Sequence, residues 1–303
     1  MLRIDHALGS DRVLKALTGL RIVECIDLAA RFAPVLAQHR RSALGSARQR
    51  RPGGGRKPRL ATVEDTLFFI LFYVKCYPTF DVAGVLFEVH RSQPHRWVHT
   101  RLPLLEQTLG EAVVLPARKI DEVAAFFERF PQGNNLFIDG QERPTQRPQQ
   151  ASAQQAHYSG QKKRHTRKNI VISDEPRSIV FVSPAVGGRH HDYTLFKASD
   201  FPDHLPEAVC CWMDLGFQGM AQAYPHLNVV IADKKPRGGV LTEDQKARNL
   251  LKASMRVVVE HAIGGLKRLN VIAHTCRNRT QQVADQFMLL ACGLWNYHLK
   301  LAN

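Results

Sequence analysis

Two apolar segments of the chain end in an aspartate with a glycine close behind, Phe137-Ile138-Asp139-Gly140 and Trp212-Met213-Asp214-Leu215-Gly216. A carboxylate at the carboxyl end of a strand stands half-buried at the rim of a sheet, where ligands of α/β folds gather. A nearby glycine lets a ligand or another backbone come close. Either aspartate alone is equally an ordinary turn residue. A third segment shifts the balance. Residues 255–267 read as a largely apolar helix with one polar row, in which Arg256, Glu260, Gly264 and Lys267 share a face. Val257, Val258, Val259, Ala262, Ile263 and Leu266 flank that row. They put Glu260 at the edge of a packed face, where an idle charge is costly. Two strand-end aspartates and one helical glutamate make an all-oxygen donor set, which hard Mg²⁺ or Mn²⁺ prefers. Two such ions about 4 Å apart serve phosphodiester cleavage by activating a hydroxyl and stabilising the leaving oxygen. Arg256 and Lys267 would hold an anionic backbone beside them.

The elements that must position these acids begin near residue 134. Short apolar runs at 134–140, 170–173, 178–183, 208–214 and 228–233 read as strands. Two long helices follow, one from Thr242 to about Leu269 with a break and one from Thr280 to Leu299. Strands in sequence, then strands alternating with helices, imply a mixed α/β domain. Upstream the texture is helical. Val13, Leu14, Leu17 and Leu20 space as one helix, and Ile22, Val23, Ile26, Ala30 and Val35 as another, with Gly19 near the break. Thr62 can cap a helix carrying Leu67, Ile70, Leu71 and Val74. Two shorter helices follow, with Val82, Leu86 and Val89 lining the first and Trp97, Val98 and Leu102 the second, which Ser92 would cap. The tight turn between them and the outer face of Gln93, His95, Arg96 and His99 describe a helix-turn-helix, with Glu88 where such turns often carry glycine.

Charge points to the partner. The 303 residues hold 42 Lys and Arg against 27 Asp and Glu, a net charge of +15, which suits a polyanion. Eight of those cations fall within residues 40–59, a run rich in glycine and free of acids. Arg50, Arg51, Arg56 and Lys57 are its candidate phosphate contacts, as are Lys162, Lys163 and Arg164 further on. No run of about 18 uncharged apolar residues occurs, so no membrane-spanning helix is expected. Six cysteines without a Cys-x-x-Cys pair fit neither a disulfide framework nor a zinc ribbon and suit a reducing cytosol. His190, His191 and Asp192 lack a paired ligand at metal-binding spacing and read as structural or DNA-facing.

With these motifs together the chain resembles insertion-sequence transposases of the DDE superfamily, of the IS-five type with Harbinger-like relatives. Phe137-Ile-Asp139-Gly-Gln-Glu-Arg-Pro resembles the first acidic motif of that family, and Asp214-Leu-Gly-Phe-Gln-Gly the second. Arg256, Glu260 and Lys267 fit the third, with Ala253 where the family carries tyrosine. The resemblance implies a helical region (1–39), a basic linker (40–60), a helix-turn-helix domain (61–115) and an RNase H-like catalytic domain (116–303). It implies that Asp139, Asp214 and Glu260 bind two Mg²⁺ or Mn²⁺ ions per site. It also implies action on double-stranded DNA at element ends and target, as a dimer or higher oligomer, in the bacterial cytoplasm at the nucleoid. A catalytically silent DNA-binding protein and a simple metal-dependent nuclease on the same fold remain open alternatives at this point.

Overall fold

A computed structural model describes residues 2–44, 57–119, 128, 134–199, 201–278 and 280–302. Arg50, Arg51 and Arg56 fall outside them. Contacts group the chain into two compact units. One comprises Met1–Leu115 with Arg268–Ile272 and Gln286–Asn303; the other comprises Pro116–Lys267 with Ala273–Asp285.

The first unit is helical: α1 (Ile4–Leu8), α2 (Asp11–Thr18), α3 (Ile22–Leu44), α4 (Val63–Cys76), α5 (Phe80–Phe87) and α6 (Ser92–Glu111). Thr62 and Asp65 form a reciprocal capping box that starts α4. Every residue of α4 from Thr66 to Val74 is buried, so the other helices pack around it on all sides. The expected face of α3 needs correction. Val23 and Ile26 are exposed, and Cys25, Leu28, Phe32 and Leu36 form the packed side. Glu24 is buried among them, and burial would raise its pKa. Bonds from the Arg21 backbone and guanidinium and from the His298 ring overcome that and hold it below the usual carboxylate range.

The helix-turn-helix is α5 and α6. Its first helix also packs differently from expectation. Val82 and Leu86 are exposed and Val89 only half-buried, while Ala83, Gly84 and Phe87 face inward. Gly84 is required there, because a Cβ would sit 2.8 Å from the Val89 carbonyl oxygen. The Val89 N–H donates to Gly84 O and the Glu88 N–H to Val85 O, a Schellman closure with Glu88 left-handed at φ 53°. Ser92 is the first residue of α6, one place inside the cap. Trp97 packs edge-on against Phe69 and Phe87, with Val98 and Leu102 fully buried below.

The second unit holds a mixed sheet. Its strands are β1 (Asn135–Pro144), β2 (Tyr158–Ser159), β3 (Arg164–Ser173), β4 (Ile179–Val182), β5 (Val186–Gly187), β6 (Cys210–Trp212) and β7 (Asn228–Val230). The order is β2-β3-β1-β6-β7, with β4 and β5 along the other edge of β3. β1 runs antiparallel to β3 and parallel to β6, and β6 parallel to β7. This is a mixed RNase H-like sheet, and it follows a helical region as expected. Leu136, Ile138, Ile170, Ile172, Cys211 and Met213 share one core. The helix expected to break once runs unbroken from Glu243 to Lys267, called α9 below. Its first half is tied down by Asn249 bonds to Asp233 and a Lys252 bond to the Ile231 carbonyl. Between the strands lie α7 (Ala151–His157) and α8 (Asp192–Lys197).

Candidate active site and nucleic-acid surfaces

Phe137 and Trp212 are register partners on the parallel strands β1 and β6. Asp139 and Asp214 each stand two residues further on, so the alignment brings both carboxylates to the same level of the sheet; Asp214 lies just past the end of β6, whereas Asp139, expected at a strand end, lies mid-strand because β1 runs on to Pro144 in its pairing with β3. Asp139 Oδ1 accepts the Gly140 N–H at 2.7 Å, and Asp214 Oδ1 accepts the Gly216 N–H at 2.8 Å. Glu260 comes from α9, whose Val259, Ala262, Ile263 and Leu266 are buried while Glu260 itself is exposed. Asp139, Asp214, Glu260 and Lys267 line one cleft of about 290 Å³. Arg256, one turn before Glu260, is half-buried and its charge acts on Asp139.

The electrostatics of the cleft favour a cation. Burial pushes the Asp139 carboxyl up to about 6; the Gly140 N–H and Arg256 pull it down, and Asp214 and Asp192 push it up. Among the described residues no three His, Cys, Asp or Glu side chains converge closely enough to enclose a metal. The donor set is nevertheless right for a hard divalent ion, with carboxylates and no His or Cys among the described residues lining the cleft and one of the acids, Glu260, exposed.

Three further charged groups of this cleft, Asp192, Lys168 and Glu142, were missed from sequence. Asp192, read as structural or DNA-facing, lines the cleft itself. A Cβ at Gly140 would run into its carboxylate, so glycine beside Asp139 makes room for this second acid. Lys168 Nζ lies 2.9 Å from Asp192 Oδ1 and 3.0 Å from Glu142 Oε1, and donates to the His190 carbonyl at 3.0 Å. Glu142 and Lys168 are direct register partners, both nearly buried. The available signal was Lys168 itself, two residues before Ile170 on the same strand face. A lone cation in that row needs buried partners.

The candidate DNA contacts fall in separate places. Lys162, Lys163 and Arg164 are exposed at the hairpin joining β2 and β3, and Lys162 also lines the acidic cleft. His95, Arg96 and His99 are exposed on α6 and Gln93 is half-buried; Lys57 is exposed before α4. The His95 and His99 rings stand 4.5 Å apart, and burial with the His95 charge lowers the His99 pKa. Ala253 is exposed on α9.

Residues 138–296 match a family model described as DDE superfamily endonuclease, and residues 58–111 one described as helix-turn-helix of DDE superfamily endonuclease. A probable transposase for insertion sequence element IS702 from Microchaete diplosiphon is 29% identical over 247 residues, covering 82% of this chain and 84% of its own length. No solved structure matches the chain.

Proposed function

The chain belongs to the DDE superfamily of endonucleases, and from that premise we propose that it is an insertion-sequence transposase that cuts and joins DNA at element ends. The observation that carries the proposal is the meeting of Asp139, Asp214 and Glu260 in one cleft from the middle of β1, the end of β6 and a helix. A divalent ion, Mg²⁺ or Mn²⁺, held by these three carboxylates would neutralise the scissile phosphate and polarise the attacking hydroxyl. The protein's own groups supply the rest. Arg256 and Lys267 hold the backbone of the cut strand against the acids. The Gly140 and Gly216 amides fix one oxygen of Asp139 and of Asp214, leaving the other free to face substrate. Lys168 pairs with both Glu142 and Asp192 and offsets part of the negative charge of the cleft.

The helix-turn-helix supplies DNA affinity, with Arg96 at a base edge and Lys57 and its neighbours on phosphates. The protein reads terminal inverted repeats and acts as at least a dimer on DNA, since two ends must be coordinated, in the cytoplasm where the bacterial nucleoid lies. A strand-transfer assay with a pre-cut end and a supercoiled target tests the proposal. Joined product is expected. Mg²⁺-dependent cutting without joining would make the protein a simple nuclease, and DNA binding without cutting a silent DNA-binding protein.

A further inference from the structure

A second, larger cavity of about 1180 Å³ adjoins the acidic cleft, and Glu142, Gln161, Lys168, Asp192 and Asp214 line both. The two spaces therefore share one wall, and that wall carries acids of the cleft. The larger space exceeds the ~300–1,000 Å³ that encloses a single drug-sized ligand.

The lining changes character away from that wall. All three carboxylates of the larger cavity, Glu142, Asp192 and Asp214, belong to the shared wall. Beyond them stand Arg147 and Arg189, the amides of Gln154 and Gln155, and the rings of Tyr158 and His165. Among the described residues neither arginine pairs with a carboxylate. Arg147 instead donates to the neutral Gln154 Oε1 at 3.1 and 2.8 Å, keeping its charge uncompensated. Tyr158 is 44% exposed, unusually open for a large ring in a cavity wall. Its register partner His165 meets it edge-to-face at 5.7 Å and orients it.

Unpaired cations, amides that both donate and accept, and an open aromatic face are the chemistry that grips a single nucleic-acid strand. We propose that this cavity receives a short unpaired segment of the DNA end next to the scissile phosphate, with a base stacked on Tyr158 and its phosphates on Arg147 and Arg189. The inference rests on the transposase reading above and adds the state of the substrate: the end is frayed when it enters the site. Pairing energy lost at the terminus is offset by stacking on the protein.

Fluorescence-anisotropy titration of the full chain, with chelator present so that nothing is cut, tests it. The probes are a blunt duplex and the same duplex carrying a few unpaired thymidines at its 5′ or 3′ end. The wild type should bind one extended duplex about tenfold tighter than the blunt one, within the range of a single base–aromatic stack. Tyr158→Ala should remove that gain and leave blunt-duplex affinity unchanged, Tyr158→Phe should keep it, and Arg189→Ala should reduce it. Equal wild-type affinity for blunt and extended probes overturns the inference alone. So does a Tyr158→Ala variant that weakens both probes alike. Absence of any salt-sensitive duplex affinity overturns the transposase reading itself and this inference with it.

Discussion

Replacing Asp139 by asparagine should stabilise the protein while destroying its activity. The carboxyl is buried beside Asp214 and Asp192, and its pKa rises from 3.8 to about 6 on folding. A rise of that size is worth about 3 kcal/mol at full ionisation. Its sign is opposite to that of a salt-bridged acid. Below about pH 3 the group is protonated in folded and unfolded chains alike and costs almost nothing. Between about 4 and 6 the unfolded chain releases the proton more readily than the folded one, so stability falls. Above about 6 the full penalty stands. Asparagine keeps the shape and removes the charge, so urea unfolding in chelator at pH 8 should show the variant more stable by about 2–3 kcal/mol. The difference should shrink to about 0.5 kcal/mol at pH 4 and vanish near pH 3. Mg²⁺ should stabilise the wild type more than the variant, because only the carboxylate pair gains from the cation. Equal stabilities at pH 8, or a full difference that persists at pH 3, would refute the claim that Asp139 is held ionised at a cost.

Three other outcomes follow from named contacts. Lys168→Ala leaves Glu142 and Asp192 uncompensated and should cost about 3–5 kcal/mol at pH 7, less in acid, as read by chemical denaturation; a loss under 1 kcal/mol would mean the carboxylates find other partners. Glu88→Gly relieves a left-handed residue, a gain of about 1 kcal/mol, and loses an exposed ion pair to Arg59 worth less than that. Thermal melts should therefore show no loss of stability, and a clear loss would mean that the ion pair holds the turn. Arg96→Ala should lower discrimination between the element end and random DNA by roughly 1–3 kcal/mol in competition binding while leaving the salt slope nearly unchanged; a uniform loss across all sequences would make Arg96 a phosphate contact instead.

The residues that carry the chemistry were the most legible part of the sequence. An aspartate closing an apolar run and a polar row on an apolar helix are local patterns, although only Asp214 proved to stand at a strand end, since β1 continues past Asp139 to Pro144. Strand pairing then brought Asp139 and Asp214 together without any signal in the sequence beyond similar spacing to a glycine. Asp192 was illegible for the same reason. It follows two histidines in a loop, and its place depends on the missing Cβ of Gly140 and the pairing with Lys168, both distant in sequence. The inward faces of α3 and α5 were misread because both helices carry more apolar residues than they bury. Val23, Ile26, Val82 and Leu86 spaced plausibly, but Glu24 found buried partners and Gly84 had to take the close contact in the turn. The large cavity beside the acids had no sequence signature, since its walls come from α7, the β2–β3 hairpin and the loop before α8.

The most direct test is Mg²⁺-dependent cleavage of labelled element-end DNA by the wild type and by Asp139→Ala, Asp214→Ala and Glu260→Ala, with DNA binding measured on the same preparations. All three variants should lose nearly all cleavage and keep duplex affinity, because each removes one carboxylate of the cleft and none touches the helix-turn-helix. Cleavage by Glu260→Ala at the wild-type rate would contradict the assignment of three acids acting at one phosphodiester.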